Sequence, residues 1–312
     1  MTLPGGPAPH VPVLSKEVIE HLALAPGLAV VDGTVGLGGH AAAIAEAIGP
    51  GGVLIGLDRD AQALDVARQR LARASARVEL VHANFRHLVS VLRDLGLEAV
   101  DRVFLDLGVN SSQLDDPGRG MSFRLDGPID MRFDPSSGPT AFDLLRKSSE
   151  QELAGWFHEF GEERHARRIA RALVRAREQH ALPRTTGELA DAVVRAVPPA
   201  ARRQRIHPAT RVFQALRIVV NDELRAVEGG LDEAFWSLRH EGRLGVISFH
   251  SLEDRRVKRF MRERMQALFK KPILASREER LANPRSRSAK LRVAARRAAT
   301  SDLGATSQER AP

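Results

Sequence analysis

Three aspartates close three apolar runs of this chain, and their neighbours set the chemistry they could do. Val30-Val31 leads to Asp32, Leu54-Ile55-Gly56-Leu57 leads to Asp58, and Val103-Phe104-Leu105 leads to Asp106. After Asp32 come Gly33, Gly36, Gly38 and Gly39, then His40 and an alanine-rich stretch from Ala41 to Ile48. A strand, a glycine turn and a helix N-terminus in that order bring free backbone N–H groups up to a nucleotide-type cofactor. Gly36-x-Gly38-x-x-Ala41 also fits a dinucleotide fingerprint, so the acids must decide. Asp58 stands where a carboxylate grips ribose hydroxyls, which serves NAD and S-adenosylmethionine alike. Asp32 would repel a pyrophosphate but could hold an ammonium group or an ordered water. S-adenosylmethionine carries an ammonium, a sulfonium and no phosphate. The pattern points to the methyl donor, with a nicotinamide-dependent oxidoreductase as the competing reading.

These acids can act together only if the fold gathers strand ends at one edge. Strands are predicted at Leu28–Asp32, Val53–Asp58, Val78–His82 and Arg102–Asp106, with helical patterns between them such as Leu64, Ala67 and Leu71. Their alternation predicts an α/β chain with a parallel sheet, right-handed crossovers and ligands at the carboxyl ends. Ser15 is expected to cap a first helix. Beyond Asp115 the alternation stops. Residues 117–207 read as an α-helical insertion, with helices near Glu150–Phe160 and Glu162–His180 and a capping box at Thr185 and Glu188. This divides the chain into a first sheet part (1–116), the insertion (117–207), a second sheet part (208–297) and a disordered tail (298–312). In the second part Pro208 opens a helix through Leu224, and Leu231–Leu238 forms a short one. Arg243–Phe249 is the next core strand, His250 stands at its end, Arg255–Phe269 is a basic helix, and Ala289–Val293 is a last edge strand.

The 312 residues contain no cysteine, which excludes disulfides, thiolate zinc sites and thiolate nucleophiles, including those of the cytosine C5 methyltransferases. The histidines and acids show no ligand spacing of the usual kinds, so no metal is expected. No apolar run reaches the roughly 18 residues of a membrane span, and Met1 to Pro9 lacks a secretion signal; a cytoplasmic protein is expected. Residues 1–159 carry 14 Lys and Arg against 21 Asp and Glu, whereas 160–217 carry 13 against 5 and 255–312 carry 17 against 5. Two basic blocks thus flank an acidic cofactor half, which suits a polyanionic substrate. Arg287 and Arg292 in the second block are expected to contact it.

Longer motifs sharpen the reading. They include His10-Val11-Pro12-Val13-Leu14, Asp106-Leu107-Gly108-Val109, Gly120-Met121-Ser122-Phe123, Asp126 to Arg132, His207 to Arg217, Ser248 to Arg255, and Asn283-Pro284-Arg285 through Lys290-Leu291-Arg292. With Asp32 to His40, they give a chain that resembles the bacterial small-subunit rRNA cytosine-N4 methyltransferases from near His10 to near Arg297. The resemblance implies a class I methyltransferase (Rossmann-like), mostly parallel sheet with an inserted α-helical domain for substrate recognition. It implies methyl transfer from S-adenosylmethionine to N4 of one cytidine in the decoding region of 16S rRNA, with the small ribosomal subunit as partner. It also implies cofactor contacts from Gly38, Gly39, His40, Asp58, Phe85, Asp106 and Gln113. Where the family commonly has serine, serine, proline before that glutamine, this chain has Asn110-Ser111-Ser112.

An exocyclic amine needs no strong base, because it becomes acidic as the new C–N bond forms. It needs alignment and hydrogen-bond acceptors that localise its lone pair. Asp106 is placed for that role, with Asn110 or a backbone carbonyl of its loop as second acceptor. The base must leave its stack, and in a chain without tyrosine, Phe123, Phe133, Trp156 and Phe249 are candidates to stack on it. A non-catalytic RNA-binding assembly factor is the remaining alternative.

Overall fold

The fold, taken from a computed structural model, is described for residues 12–202 and 206–297. His10, Val11 and the tail from 298 onward lie outside them. Among the described residues eight strands form one sheet: β1 (Ala29–Asp32), β2 (Val53–Asp58), β3 (Arg77–His82), β4 (Val100–Asp106), β5 (Leu238–Ser248), β6 (Gln266–Ala267), β7 (Ile273–Leu274) and β8 (Lys290–Ala295). The order is β3-β2-β1-β4-β5-β8-β6, with β7 also paired to β8. Strands β1 to β5 run parallel, and β8 is antiparallel to β5. Register aligns Asp32 with Gly56 and Phe104, and Asp106 with Ile247, so the carboxyl ends form one rim.

Period-two alternation sorts the strand residues between two layers of helices. Val30, Leu54, Phe104 and Ile247 pack on one face with helices Ser15–His21, Gly39–Ile48 and Ala61–Leu71. Val31, Ile55, Val103, Leu105 and Val246 pack on the other with helices Leu88–Asp94, Glu223–Ser237 and Ser251–Arg264. A further core runs from Met121 to Leu216 and gathers helices Glu150–Glu159, Ala166–Glu178, Thr186–Ala196 and Ala209–Asn221. Helix Ala209–Asn221 therefore packs with the helices that precede it in sequence. Among the described residues no helix is long and apolar enough to cross a membrane.

Several local expectations change. Ser15 is the first helical residue, not the cap; left-handed Leu14 precedes it. The helix from Pro208 stops at Asn221, where Asp222 turns left-handed (φ 50°), and one helix then runs from Glu223 to Ser237 instead of a short segment at Leu231. Strand β8 is interior, because the two-residue strands β6 and β7 cover the side away from β5. Such short strands leave no pattern to read. The capping box at Thr185 and Glu188 forms as expected.

Candidate active site at the carboxyl rim of the sheet

The rim begins with Asp32, whose side chain is fully buried. Its Oδ1 accepts from the Thr34 N–H at 3.0 Å and the Thr34 hydroxyl at 3.4 Å, whereas its Oδ2 is buried with no partner. Burial, opposed by the Thr34 backbone bond, raises its pKa to about 7, and Asp58 adds to the rise. Thr34 links the two strands, since its hydroxyl oxygen accepts from the Asp106 N–H at 2.6 Å. Asp106 is a quarter exposed, and its Oδ2 lies 3.5 Å from His40 Nδ1. Its Oδ1 is buried and has no partner. Burial holds its pKa well above the carboxylate range, and Asp32 and Glu253 add to the effect. His40 is buried, with Nε2 2.8 Å from the Val13 carbonyl and its ring on Phe104, so the start of the chain and β4 fix its orientation.

The glycine turn behaves as its composition demands. Gly36 (φ 51°) and Gly38 (φ 79°) take left-handed conformations that side chains resist, and Gly38 precedes helix Gly39–Ile48. Asp58 holds this turn, accepting the Gly36 N–H at 2.7 Å on Oδ2 and the Asp60 N–H at 2.9 Å on Oδ1. Burial raises its pKa, and those backbone bonds partly oppose the rise. Phe85 follows β3, its Cβ against Gly33 and its ring edge against Gly230. A Cβ built on Gly230 would lie 2.1 Å from Phe85 Cδ2. Gly230→Ala is therefore expected to displace Phe85 and destabilise the fold by about 1–2 kcal/mol. A thermal melt that matched the wild type would refute this packing.

Asn110 and Gln113 are turned toward each other. The Asn110 side-chain oxygen accepts the Gln113 N–H at 2.9 Å and the Ser112 hydroxyl at 2.7 Å, and Gln113 Oε1 accepts the Asn110 N–H at 3.2 Å. Asn110 thus serves a helix cap, a use its type permits and its spacing to Gln113 favours. Gln113 is buried and its amide donates to Asp60 Oδ2 at 3.0 Å.

Asp60, Arg119 and Thr34 were not foreseen. Asp60 caps helix Ala61–Leu71 and also receives the buried Arg119 guanidinium at 2.9 Å. Arg119 in turn donates to the Phe133 carbonyl at 2.6 Å, tying the turn-rich segment to the glycine turn's neighbours. The cap position of Asp60 was legible, but its remote partners were not.

On the acceptor side Phe249 lies at the β5 end, 3.6 Å from where a Cβ on Gly108 would sit. Phe123 packs on His207 and Phe213, Phe133 lies beneath Arg59, and Trp156 packs on the helical core, so of the four candidates Phe249 is the one beside the loop that follows Asp106. His250 pairs with buried Glu253 at 3.1 Å, and its Nδ1 caps the following helix. Glu223, His250 and Glu253 bring ligand-type atoms within 4.8 Å of one another. Arg217, however, occupies both Glu223 oxygens at 2.7 and 2.9 Å, so a guanidinium already supplies the positive charge there. Arg292 is also engaged: Asp254 of helix Ser251–Arg264 binds it at 2.7 Å, contrary to the role in substrate contact expected of it.

The rim fits S-adenosylmethionine on its own terms. Two buried carboxylate oxygens, Asp32 Oδ2 and Asp106 Oδ1, lack partners, and Thr34 links their strand ends where the left-handed glycine turn begins. A cation beside Asp32 Oδ2 and a hydrogen-bond donor at Asp106 Oδ1 satisfy them, whereas a pyrophosphate would not. The comparisons agree. The profile of the MraW methylase family matches residues 7–297. The Ribosomal RNA small subunit methyltransferase H of Heliobacterium modesticaldum is 47% identical over 306 residues, spanning 91% of this chain and 97% of its own. Those of Sorangium cellulosum and a Cyanothece species are 51% and 52% identical over 289 residues, each spanning 92% of this chain and 90% and 94% of their own. By that match over most of its length, the chain belongs to the MraW methylase family.

Proposed function

We propose that this protein methylates N4 of one cytidine in the decoding region of 16S rRNA, using S-adenosylmethionine, in the cytoplasm and on the small ribosomal subunit. The observation that carries the reading is the pair of unpartnered carboxylate oxygens on the rim of a class I sheet, in a chain about half identical to small-subunit rRNA methyltransferases. The absence of cysteine removes thiolate-assisted attack on the ring carbon, and the family resemblance gives the exocyclic nitrogen as the acceptor.

In this reading Gly38, Gly39, His40, Asp58 and Phe85 line the cofactor side, and Gln113 supports it through Asp60. The cofactor supplies an electrophilic methyl group. Asp106 Oδ1 accepts a hydrogen bond from the amino group, localises its lone pair and holds the proton that leaves nitrogen. Burial raises the Asp106 pKa, which makes its carboxylate a stronger proton acceptor than an exposed one. Asn110 positions the loop through its cap instead of touching the base. Residues 117–207 form the segment that recognises the RNA, between 1–116 and 208–297; helix Ala209–Asn221 of the latter packs on the helical segment, and the rest of it completes the sheet domain.

Nucleoside mass spectrometry of 16S rRNA from cells with and without the protein tests this directly. N4-methylcytidine at one position should disappear in its absence and return with purified protein and S-adenosylmethionine. Stabilisation by NAD alone in a thermal-shift assay, or RNA binding without transfer, would overturn the reading in favour of an oxidoreductase or an assembly factor.

A further inference from the structure

Away from the rim, a groove of about 400 Å³ is lined by Arg168, Arg171, Ala172, Arg175 and Ala196. Three guanidinium groups border a floor of two alanines between helices Ala166–Glu178 and Thr186–Ala196. The arginines follow i, i+3, i+7 spacing, so all three lie on one exposed face. Only Arg171 has a carboxylate within ion-pair distance, Glu150 at 3.3 Å; among the described residues Arg168 and Arg175 have none.

Helix stability does not account for this arrangement. Like charges at these spacings repel, and the first turn holds Arg167 and Arg168 with no acid, against the helix dipole. A polyanion on that face would offset both effects. The helix is also aimed suitably. The corner before it touches the first turn of helix Ser251–Arg264 at the rim, with Glu162 accepting from the Ser251 hydroxyl at 3.2 Å and lying 3.6 Å from Arg255. From that corner the arginines lead away along the helix, Arg168 to Arg175 spanning about 10 Å. One strand of a duplex presents about three phosphates over that length. Since the floor is alanine and offers no base-reading group, the groove contacts backbone without regard to sequence.

We propose that Arg168, Arg171 and Arg175 form a phosphate-binding track that holds the RNA beside the residue being methylated. The proposal rests on the RNA-methyltransferase reading above, and it assigns RNA contacts to the first basic block, where the expectation had put them on Arg287 and Arg292 of the second.

The test is the triple variant Arg168→Gln, Arg171→Gln, Arg175→Gln, measured against a 16S rRNA fragment containing the target. Expected are a rise in Kd of about tenfold or more and a fall of about 2 to 3 in the slope of log affinity against log salt. Affinity for S-adenosylmethionine, read by calorimetry, should stay unchanged and so report an intact fold. An unaltered salt slope overturns the track, whether or not affinity falls. So does a variant that loses only a poly-aspartate peptide, which would mark an acidic protein partner. If the unmodified protein binds no RNA, the functional reading itself fails.

Discussion

Asp106→Ala is expected to slow single-turnover methyl transfer roughly 100- to 1000-fold, the loss typical when one preorganised partner of the reacting group is removed. The reason lies in Oδ1, which is buried beside the cofactor rim and bonded to nothing. The other contacts of the residue are structural: its N–H donates to Thr34, and its Oδ2 faces His40. Alanine keeps the backbone bond and removes the free acceptor together with the Oδ2 contact to His40. Asp106→Asn retains an acceptor oxygen but cannot take a proton, so its rate should fall between the two. Quench-flow with labelled methyl donor, at saturating RNA, gives the order wild type, Asn, Ala. An alanine variant within tenfold of wild type would remove Asp106 from the chemistry. Its fold should survive, because burial already disfavours the charge being deleted.

Asp32→Asn should move stability and binding in opposite directions. An acid whose pKa rises from 3.8 to about 7 on folding binds more protons in the native than in the unfolded chain across that window. Stability therefore falls as pH rises from about 4 to about 7, and the penalty stays constant above. At 1.36 kcal/mol per unit it amounts to about 4 kcal/mol. Asparagine removes it but leaves an unpaired amide N–H at about 1–3 kcal/mol, so the cofactor-free variant at pH 8 gains on the order of 1–3 kcal/mol. Its melting temperature should rise by several degrees at pH 8 and hardly at all at pH 5. Cofactor affinity should fall roughly ten- to hundredfold through loss of a charge-assisted contact. In the wild type, binding a cation beside Asp32 expels its proton, so affinity climbs with pH to about 7 and then levels; the variant should show a flat profile. Equal melting temperatures at pH 8 together with a pH-dependent affinity in the variant would refute the assignment.

The two predictions share one cause. Asp32 and Asp106 are destabilising acids in the cofactor-free chain, held together by Thr34 and placed within electrostatic reach of Asp58 and Glu253. Acids that weaken a fold persist where a ligand needs them.

The sequence by itself determined the strand ends at Asp32, Asp58 and Asp106, the glycine turn and the Thr185 cap. Each rests on local rules: period-two burial, left-handed glycine, a side chain reaching three residues along its own helix. The same locality explains what it left open. Whether Arg292 meets RNA or Asp254, whether Gln113 meets a ligand or Asp60, and whether Phe85 lies free or against Gly230 depends on partners 38, 53 and 145 residues away. Only the tertiary structure chose among them, because a charged or aromatic side chain takes whichever neighbour the packed elements bring within a few ångströms. By the same means it made β8 an interior strand and left three arginines on one helical face without enough acids to pair them.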